Sequence, residues 1–308
     1  MEVLIYLIAL STCWQSNVAQ SGRDLIENLK SLGFSEVELE YGITPTIFAE
    51  LRPALRSSNV RAVSLHNFFP APDIAPHPGT ELWSFSSDDS EERDTAVRFT
   101  KRAIEIAGEL GAKALILHCG QVMMNPRTDE LREIYDAGQL EAASGNRLLG
   151  MVKTDRALKI GVALDRVRRC LEPLVEVAQR AQVKIGLENR YQAHEIPNSE
   201  DLELLLSSFD NRHIGYWHDV GHATVQENLG LDSQTVLLGR YRDRTIGVHL
   251  HDVSGYNDHL APGEGEVDFT FIKDNLPSDI IKVLEIRPAV TVDQMRAGIG
   301  HLAKAGIA

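Results

Sequence analysis

The run KIGLE at residues 184–188 continues through apolar and small residues to its last position, which is a glutamate. The run IGVHLH at residues 246–251 and the run IIKVLE at residues 280–285 likewise lead from apolar residues to a histidine or an acid. Short β-branched runs of this kind are typical of buried strands in a parallel sheet. Because an unpaired carboxylate at a buried strand end is costly, these polar ends indicate a functional site.

Eight such runs occur along the chain, and longer helical patterns separate them. The predicted strands cover residues 3–11, 36–40, 60–66, 112–118, 184–188, 214–219, 246–251 and 280–285. Helices are predicted at residues 24–32, 91–110, 202–209 and 292–305, and glycines stand at the expected stops of the first two, Gly33 and Gly111. Eight strands alternating with helices match a closed α/β barrel, the (β/α)8 TIM barrel, better than an open sheet.

One connection is longer than the others. Residues 119–183 lie between the fourth and fifth strands, and their first part, 121–159, contains Pro126 and a Gly-Asn pair at Gly145. We interpret this first part as an inserted loop with helical pieces near the barrel mouth, where covers of active sites usually lie. No repeat, low-complexity tract or linker divides the sequence, so residues 1–308 are expected to form a single domain.

The composition and charge narrow the expected cellular compartment and the expected classes of binding partner. Of 308 residues, 43% are hydrophobic and 24% are charged, as in an ordinary globular protein. The net charge of −13 argues against a general polyanion binder, because phosphate backbones attract Lys and Arg; nucleic acid is therefore not the expected partner. Cys13, Cys119 and Cys170 lack CxxC spacing, which fits a reducing compartment.

The apolar start of the chain has two interpretations. Residues 3–10 could be the apolar core of a signal peptide, but Glu2 follows Met1, so the basic segment of such a peptide is missing. The barrel interpretation uses these residues as the first strand. No apolar run approaches the ~20 residues of a membrane span. A cytoplasmic protein without a membrane partner is therefore expected.

Side chains that can bind a metal fall at the ends of the predicted strands. They are His66, His118, Glu188, Asp219, His249 and Glu285. In a TIM barrel the carboxyl ends of the strands converge on the face where catalytic groups gather, so these six side chains would point to a common centre. A lone histidine at a strand end is more often a hydrogen-bonded core or surface residue, so the prediction depends on the joint pattern.

Further candidates lie within or just past the strands. They are His222, His259, His251, Arg287 and Glu38. Because a strand alternates faces, His251 shares a face with His249, and Arg287 shares one with Glu285. Arg287 could bind a substrate anion or pair with one of the clustered acids. Glu38 could face the substrate, support the site from behind, or pair with a structural Arg or Lys.

A set of motifs, in order along the chain, resembles the xylose-isomerase-like TIM barrel superfamily. The motifs are GFSEVE at 33–38, SLH at 64–66, LH at 117–118, LEN at 187–189, DVGH at 219–222, HLHD at 249–252, HLAPGEG at 259–265 and LE at 284–285. That superfamily includes sugar (phosphate) isomerases and epimerases, inosose dehydratases and endonuclease IV. The resemblance covers nearly the whole chain, and it implies a TIM barrel enzyme that often forms homo-oligomers.

The resemblance also implies ligands. The four ligands of the metal that isomerases and epimerases share are matched by Glu188, Asp219, His249 and Glu285. Positions that endonuclease IV uses for additional zinc ions are matched by His66, His118, His222 and His259. Where endonuclease IV has an aspartate two residues before the histidine matching His259, this chain has Asn257. A neutral amide is a poorer cation ligand, which weakens the case for a zinc site there.

The preferred interpretation is a metal-dependent isomerase or epimerase of a small sugar or polyol. Three carboxylates and one histidine suit Mn²⁺, Mg²⁺ or Co²⁺ and also accept Zn²⁺. Glu188 and Glu285 would act as two bases that move a proton through an enediolate. No GxSxG motif or Gly-rich phosphate loop is present, and no organic cofactor is expected.

Three alternatives remain open. An inosose-type dehydratase would use the same site, with β-elimination after proton removal. An endonuclease IV-like zinc phosphodiesterase would act on abasic DNA; the charge and the absence of an evident Lys/Arg cluster argue against it. A noncatalytic sugar-binding barrel would not need intact Glu188 and Glu285.

Overall fold

The computed structural model describes residue 6 and residues 8–15, 19–209 and 212–308. Its strands are β1 (Ala9–Ser11), β2 (Glu36–Leu39), β3 (Arg61–His66), β4 (Ala114–Leu117), β5 (Lys184–Glu188), β6 (Ile214–Asp219), β7 (Thr245–Leu250), β8 (Asp252–Ser254), β9 (Asn257–Leu260) and β10 (Ile281–Leu284). Every predicted strand overlaps one of these, and the predicted first strand extends over residues 3–5 and 7, which lie outside the described residues.

Eight of these strands form a closed parallel barrel in the order β1-β10-β7-β6-β5-β4-β3-β2. Strand β1 closes it, because Leu10 pairs with Val37 of β2 on one side and with Leu284 of β10 on the other. Strands β8 and β9 form an antiparallel pair just after β7. The predicted (β/α)8 fold is therefore confirmed, and the carboxyl ends of all eight barrel strands share one face.

Ten α-helices surround the described strands. They are α1 (Gly22–Leu32), α2 (Pro45–Arg56), α3 (Ser90–Leu110), α4 (Thr128–Asp136), α5 (Ala143–Ala181), α6 (Ser199–Ser207), α7 (Val220–Asn228), α8 (Gln234–Tyr241), α9 (Phe269–Asn275) and α10 (Val292–Lys304). Gly33 and Gly111 end α1 and α3 in the left-handed conformation, with φ of 94° and 75°. None of the helices described here has both the length and the apolar composition needed to cross a membrane.

The connection after β4 differs from the prediction. Residues 143–159, interpreted as part of an inserted loop, instead form the start of the 39-residue helix α5. Gly145 does not interrupt this helix. It lies in the first turn, where a Cβ would come within 2.3 Å of the carbonyl oxygen of Leu140, so glycine lets the preceding loop approach the helix closely. Buried Leu148 and Val152 then pack this end of α5 against α4, α7 and β8.

The indole of Trp217 fills the barrel beneath the strand ends. It is fully buried and lies on the same face of β6 as Asp219, two residues later. Glycines in two of the apolar runs make room for it, because a Cβ on Gly247 would lie 2.0 Å from its ring and a Cβ on Gly186 3.2 Å away. Its ring centroid is 5.1 Å from that of His249. Trp217 thus forms the floor on which the site is built.

Candidate metal centre

Four side chains from four strand ends meet above Trp217. Nδ1 of His249 lies 2.7 Å from Oε1 of Glu188 and 3.0 Å from Oε2 of Glu285. The same nitrogen lies 3.5 Å from Oδ2 of Asp219. One ligand atom from each of the four residues lies within 4.8 Å of the others, and all four residues are buried. The fold therefore brings together the four residues that the sequence analysis predicted as a metal centre.

Two carboxylates of this cluster, those of Glu188 and Asp219, are held in their ionised form. Burial raises the pKa of Glu188, but the interaction with His249 lowers it by more, so the pKa ends well below its ordinary value. Burial also raises the pKa of Asp219, and His222 contributes most to lowering it well below the usual range. Buried carboxylate oxygens at this spacing favour a cation.

Glu38 supports His249 from behind. Oε1 of Glu38 lies 3.0 Å from Nε2 of His249, and the hydroxyl of Ser64 donates to Oε2 of Glu38 at 2.7 Å. A proton on Nε2 that bonds to this carboxylate leaves the lone pair of Nδ1 facing the three other acids. This is the carboxylate–histidine arrangement that orients histidine ligands in metal sites, so the donor set fits a divalent cation. Glu38 is fully buried under the ring and does not line the cavity.

His251 holds Asp219 in a similar way. Nε2 of His251 lies 3.1 Å from both carboxylate oxygens of Asp219, and its Nδ1 accepts the backbone N–H of His259 at 2.9 Å. The ring fits because residue 221 is a glycine, whose Cβ would lie 1.9 Å from it. His251 therefore positions an acid of the centre and, like Glu38, does not line the cavity.

A cavity of about 540 Å³ opens over the four residues. Its charged or imidazole-bearing lining includes His66, His118, Glu188, Arg190, His222, His259, Glu285 and Arg287. A volume of this size is in the range of small-molecule sites. Arg287 reaches the cavity edge and donates from Nη1 to Oδ1 of Asn257 at 3.0 Å, rather than pairing with one of the clustered acids.

One end of the cavity, the first corner, contains His66, His118 and Glu188. Nε2 of His66 and Nε2 of His118 lie 3.4 and 2.8 Å from Oε2 of Glu188. The sequence analysis did not single out Arg190, whose buried guanidinium contacts Nε2 of His118. Its position two residues after Glu188, directly past a strand end, was the available signal.

The other end, the second corner, contains His222, Asp258 and His259. Oδ2 of Asp258 lies 3.9 Å from Nε2 of His222 and 3.8 Å from Nε2 of His259. The carboxylate that Asn257 does not supply thus comes from the next residue. The sequence analysis missed Asp258 because the turn between β8 and β9 decides which of two adjacent side chains faces the cavity.

The sequence matches a known family over nearly its whole length. Residues 26–304 match the family described as the xylose isomerase-like TIM barrel. The chain belongs to this family. A relative named MJ1311, from Methanocaldococcus jannaschii, is 32% identical over 125 residues, which are 37% of this chain and 39% of that protein. The matched segment therefore spans well under two thirds of that relative.

Solved structures share the fold of this xylose isomerase-like barrel. The 3-keto-D-glucoside 4-epimerase YcjR from E. coli has a TM-score of 0.69 at 18% identity, with 96% of this chain and 98% of that one covered. The protein TTHB071 from Thermus thermophilus, soaked with ZnCl2, has a TM-score of 0.61 at 21% identity, with 97% and 96% covered. At these identities the likeness establishes the architecture.

Proposed function

We propose that this xylose isomerase-like barrel is a divalent-metal-dependent isomerase or epimerase of a sugar or polyol. The observation that carries the proposal is the placement of Nδ1 of His249 among the carboxylates of Glu188, Asp219 and Glu285, under a cavity of small-molecule size. Two structures with the same fold support it: one is named a 3-keto-D-glucoside 4-epimerase, and the other was soaked with ZnCl2.

The residues that would hold the cation are Glu188, Asp219, His249 and Glu285. Three carboxylates and one imidazole suit Mn²⁺, Mg²⁺ or Co²⁺ and also accept Zn²⁺. A cation bound there would supply Lewis-acid chemistry that stabilises the negative charge developing on substrate oxygen when a carbon-bound proton leaves.

Glu188 and Glu285 would act as the two bases. They stand on β5 and just after β10, so they approach the cavity from different sides of His249. One carboxylate would take the proton from a substrate carbon, and the other would return a proton to the opposite face or to the adjacent carbon. Delivery to the opposite face gives an epimer, and delivery to the adjacent carbon gives an isomer.

Proton exchange with solvent tests this proposal. Incubation with a panel of ketoses, inososes and their phosphates in D₂O should place deuterium on a carbon next to a carbonyl group, as detected by NMR. Glu188→Gln and Glu285→Gln should each reduce turnover by roughly 10²- to 10⁴-fold, the usual contribution of a general base. Glu27→Gln, at an exposed position of α1, is the matched control. Full activity in Glu188→Gln or Glu285→Gln, or in the wild type after exhaustive chelation, would contradict the proposal.

The second corner favours one other candidate, a zinc phosphodiesterase acting on abasic DNA. His222, Asp258 and His259 supply two imidazoles and a carboxylate, as an additional zinc ion would require. The buried Arg190 at the first corner argues against it, because a guanidinium stands where a further cation would bind. Cleavage of an abasic oligonucleotide by the zinc-loaded protein would establish this activity. A dehydratase would be recognised by loss of water from an inosose.

A further inference from the structure

The first corner has the atoms of a cation site. Nδ1 of His118 lies 2.6 Å from Oε1 of Glu81, and Nδ1 of His66 lies 3.1 Å from the carbonyl oxygen of Asn67. Both contacts need an N–H on Nδ1. In the neutral imidazoles Nε2 then carries the lone pair and could bind a cation, and one ligand atom from each of the three residues lies within 4.8 Å of the others.

A fixed positive charge already stands at this corner. Nη1 of Arg190 contacts Nε2 of His118 and lies 3.7 Å from Oε2 of Glu188. A guanidinium stays protonated in proteins and can only donate, so its contact with His118 uses the imidazole lone pair that a metal would need. The Arg190 side chain is 8% exposed, which means that solvent screens its charge little.

Two carboxylates keep the guanidinium in place. Nη2 of Arg190 donates to Oε1 of Glu195 at 2.9 Å and lies 3.4 Å from Oε1 of Glu81. Burial raises the pKa of Glu195, but Arg190 lowers it below its ordinary value. Displacement of Arg190 from the corner would leave these two acids without their shared cation, which is costly for the buried one.

We infer that Arg190 is the built-in cation of the first corner and that it prevents a divalent ion from binding between His66, His118 and Glu188. This inference rests on the proposed metal centre, since it concerns how many ions that centre recruits. Arg190 would act as a positioning residue. Its charge lies 3.7 Å from Oε2 of Glu188, while Oε1 lies 2.7 Å from Nδ1 of His249. A divalent ion at the corner would compete for the same lone pair and would face a like charge at short range.

The test is the number of metal ions per chain, measured by elemental analysis after equilibration with Zn²⁺ and desalting. Arg190→Met keeps an unbranched, flexible side chain and removes the guanidinium with its charge, and this variant should hold one more ion per chain than the wild type. Adding His66→Ala to Arg190→Met should abolish that gain. Arg190→Lys keeps a charge and should retain the wild-type count. An Arg190→Met protein that folds and gains no ion would overturn the inference.

A second measurement does not depend on an Arg190 variant that folds. If Arg190 blocks the corner, His66→Ala in the otherwise wild-type chain should bind as many ions as the wild type does. A lower count in His66→Ala would mean that the corner binds metal despite Arg190, and it would also overturn the inference. A different result would contradict the proposed function. If Asp219→Asn bound as many metal ions per chain as the wild type, the central site would not be the metal site, but the result for the first corner would still hold.

Discussion

The two corners of the cavity are built alike and differ in charge. In each corner, two histidines donate a hydrogen bond from Nδ1 to a backbone or carboxylate oxygen. Their Nε2 atoms face an acid, which is Glu188 in the first corner and Asp258 in the second. In the first corner a guanidinium, that of Arg190, contacts one of these Nε2 atoms. From this difference we expect the number of bound cations to depend on a residue outside the ligand set, because a donor that uses a lone pair removes a ligand.

The anchors of the histidines differ as well. In the second corner, Nδ1 of His222 lies 3.0 Å from the carbonyl oxygen of Asn189, and Nδ1 of His259 lies 3.1 Å from that of Glu285. These acceptors belong to the backbone and do not titrate. In the first corner His118 depends on the carboxylate of Glu81. We therefore expect the two corners to respond differently to metal and to acid.

The largest effect, a loss of metal affinity, is expected at Glu38, which lies behind His249 of the central site. Glu38→Gln replaces the anion that orients His249, and loss of such a partner typically lowers metal affinity by about 10- to 100-fold. Competition with a chromophoric chelator measures the affinity. Ser64→Ala removes only the hydroxyl that donates to Glu38 and should cause a smaller loss. Unchanged affinity in Glu38→Gln would show that His249 needs no carboxylate behind it.

A smaller effect, a change in the number of bound zinc ions, should distinguish the two corners. At high Zn²⁺, Asp258→Asn should lose one weakly held ion per chain, because among the described residues no guanidinium donates a hydrogen bond to His222 or His259, and the nearby Arg287 donates to Asn257. His66→Ala, which changes the first corner, should lose none. Isothermal titration with Zn²⁺ measures both. Equal losses in the two variants would contradict the comparison.

The central site was predictable from sequence because strand ends determine it. Glu188, Asp219 and His249 follow apolar runs that are long enough to identify as strands, and parallel strands in a barrel bring their carboxyl ends to one face. The prediction that four such side chains meet required no knowledge of loops. The continuous helix α5 was harder to predict, because Gly145 indicates a break unless the approach of Leu140 is known.

The charges at the corners could not be predicted in the same way. Arg190 lies in the connection after β5, and its sequence position does not say whether it points to solvent or to His118. Asn257 and Asp258 are neighbours at the start of β9, and a shift of one residue in the strand register would exchange which side chain faces the cavity. Under the inference about Arg190, loop conformation would determine the number of bound cations, while the strand pattern places the candidate ligands.

The smallest effect is a change in the free energy of unfolding at acidic pH, and it is expected at Glu81, whose carboxylate anchors His118 in the first corner. Burial raises the pKa of Glu81, but the hydrogen bond from His118 and the charge of Arg190 lower it to about 2. Because the folded pKa lies below the ordinary value of 4.5, the ionised carboxylate stabilises the protein above about pH 4.5, and this contribution is lost as the pH falls toward 2. The full shift would correspond to roughly 3 kcal/mol.

The exposed fraction of the Glu81 side chain, 46%, reduces that contribution to about 1 kcal/mol through solvent screening. Urea unfolding of the wild type and of Glu81→Gln should therefore differ by about 1 kcal/mol in the free energy of unfolding at pH 6. The difference should narrow steadily as the pH is lowered from 4.5. Glu27→Gln, on exposed α1, should show no such convergence. A difference that stays constant down to pH 3 would mean that Glu81 acts through packing, and the contrast between a titrating and a backbone-anchored corner would be lost.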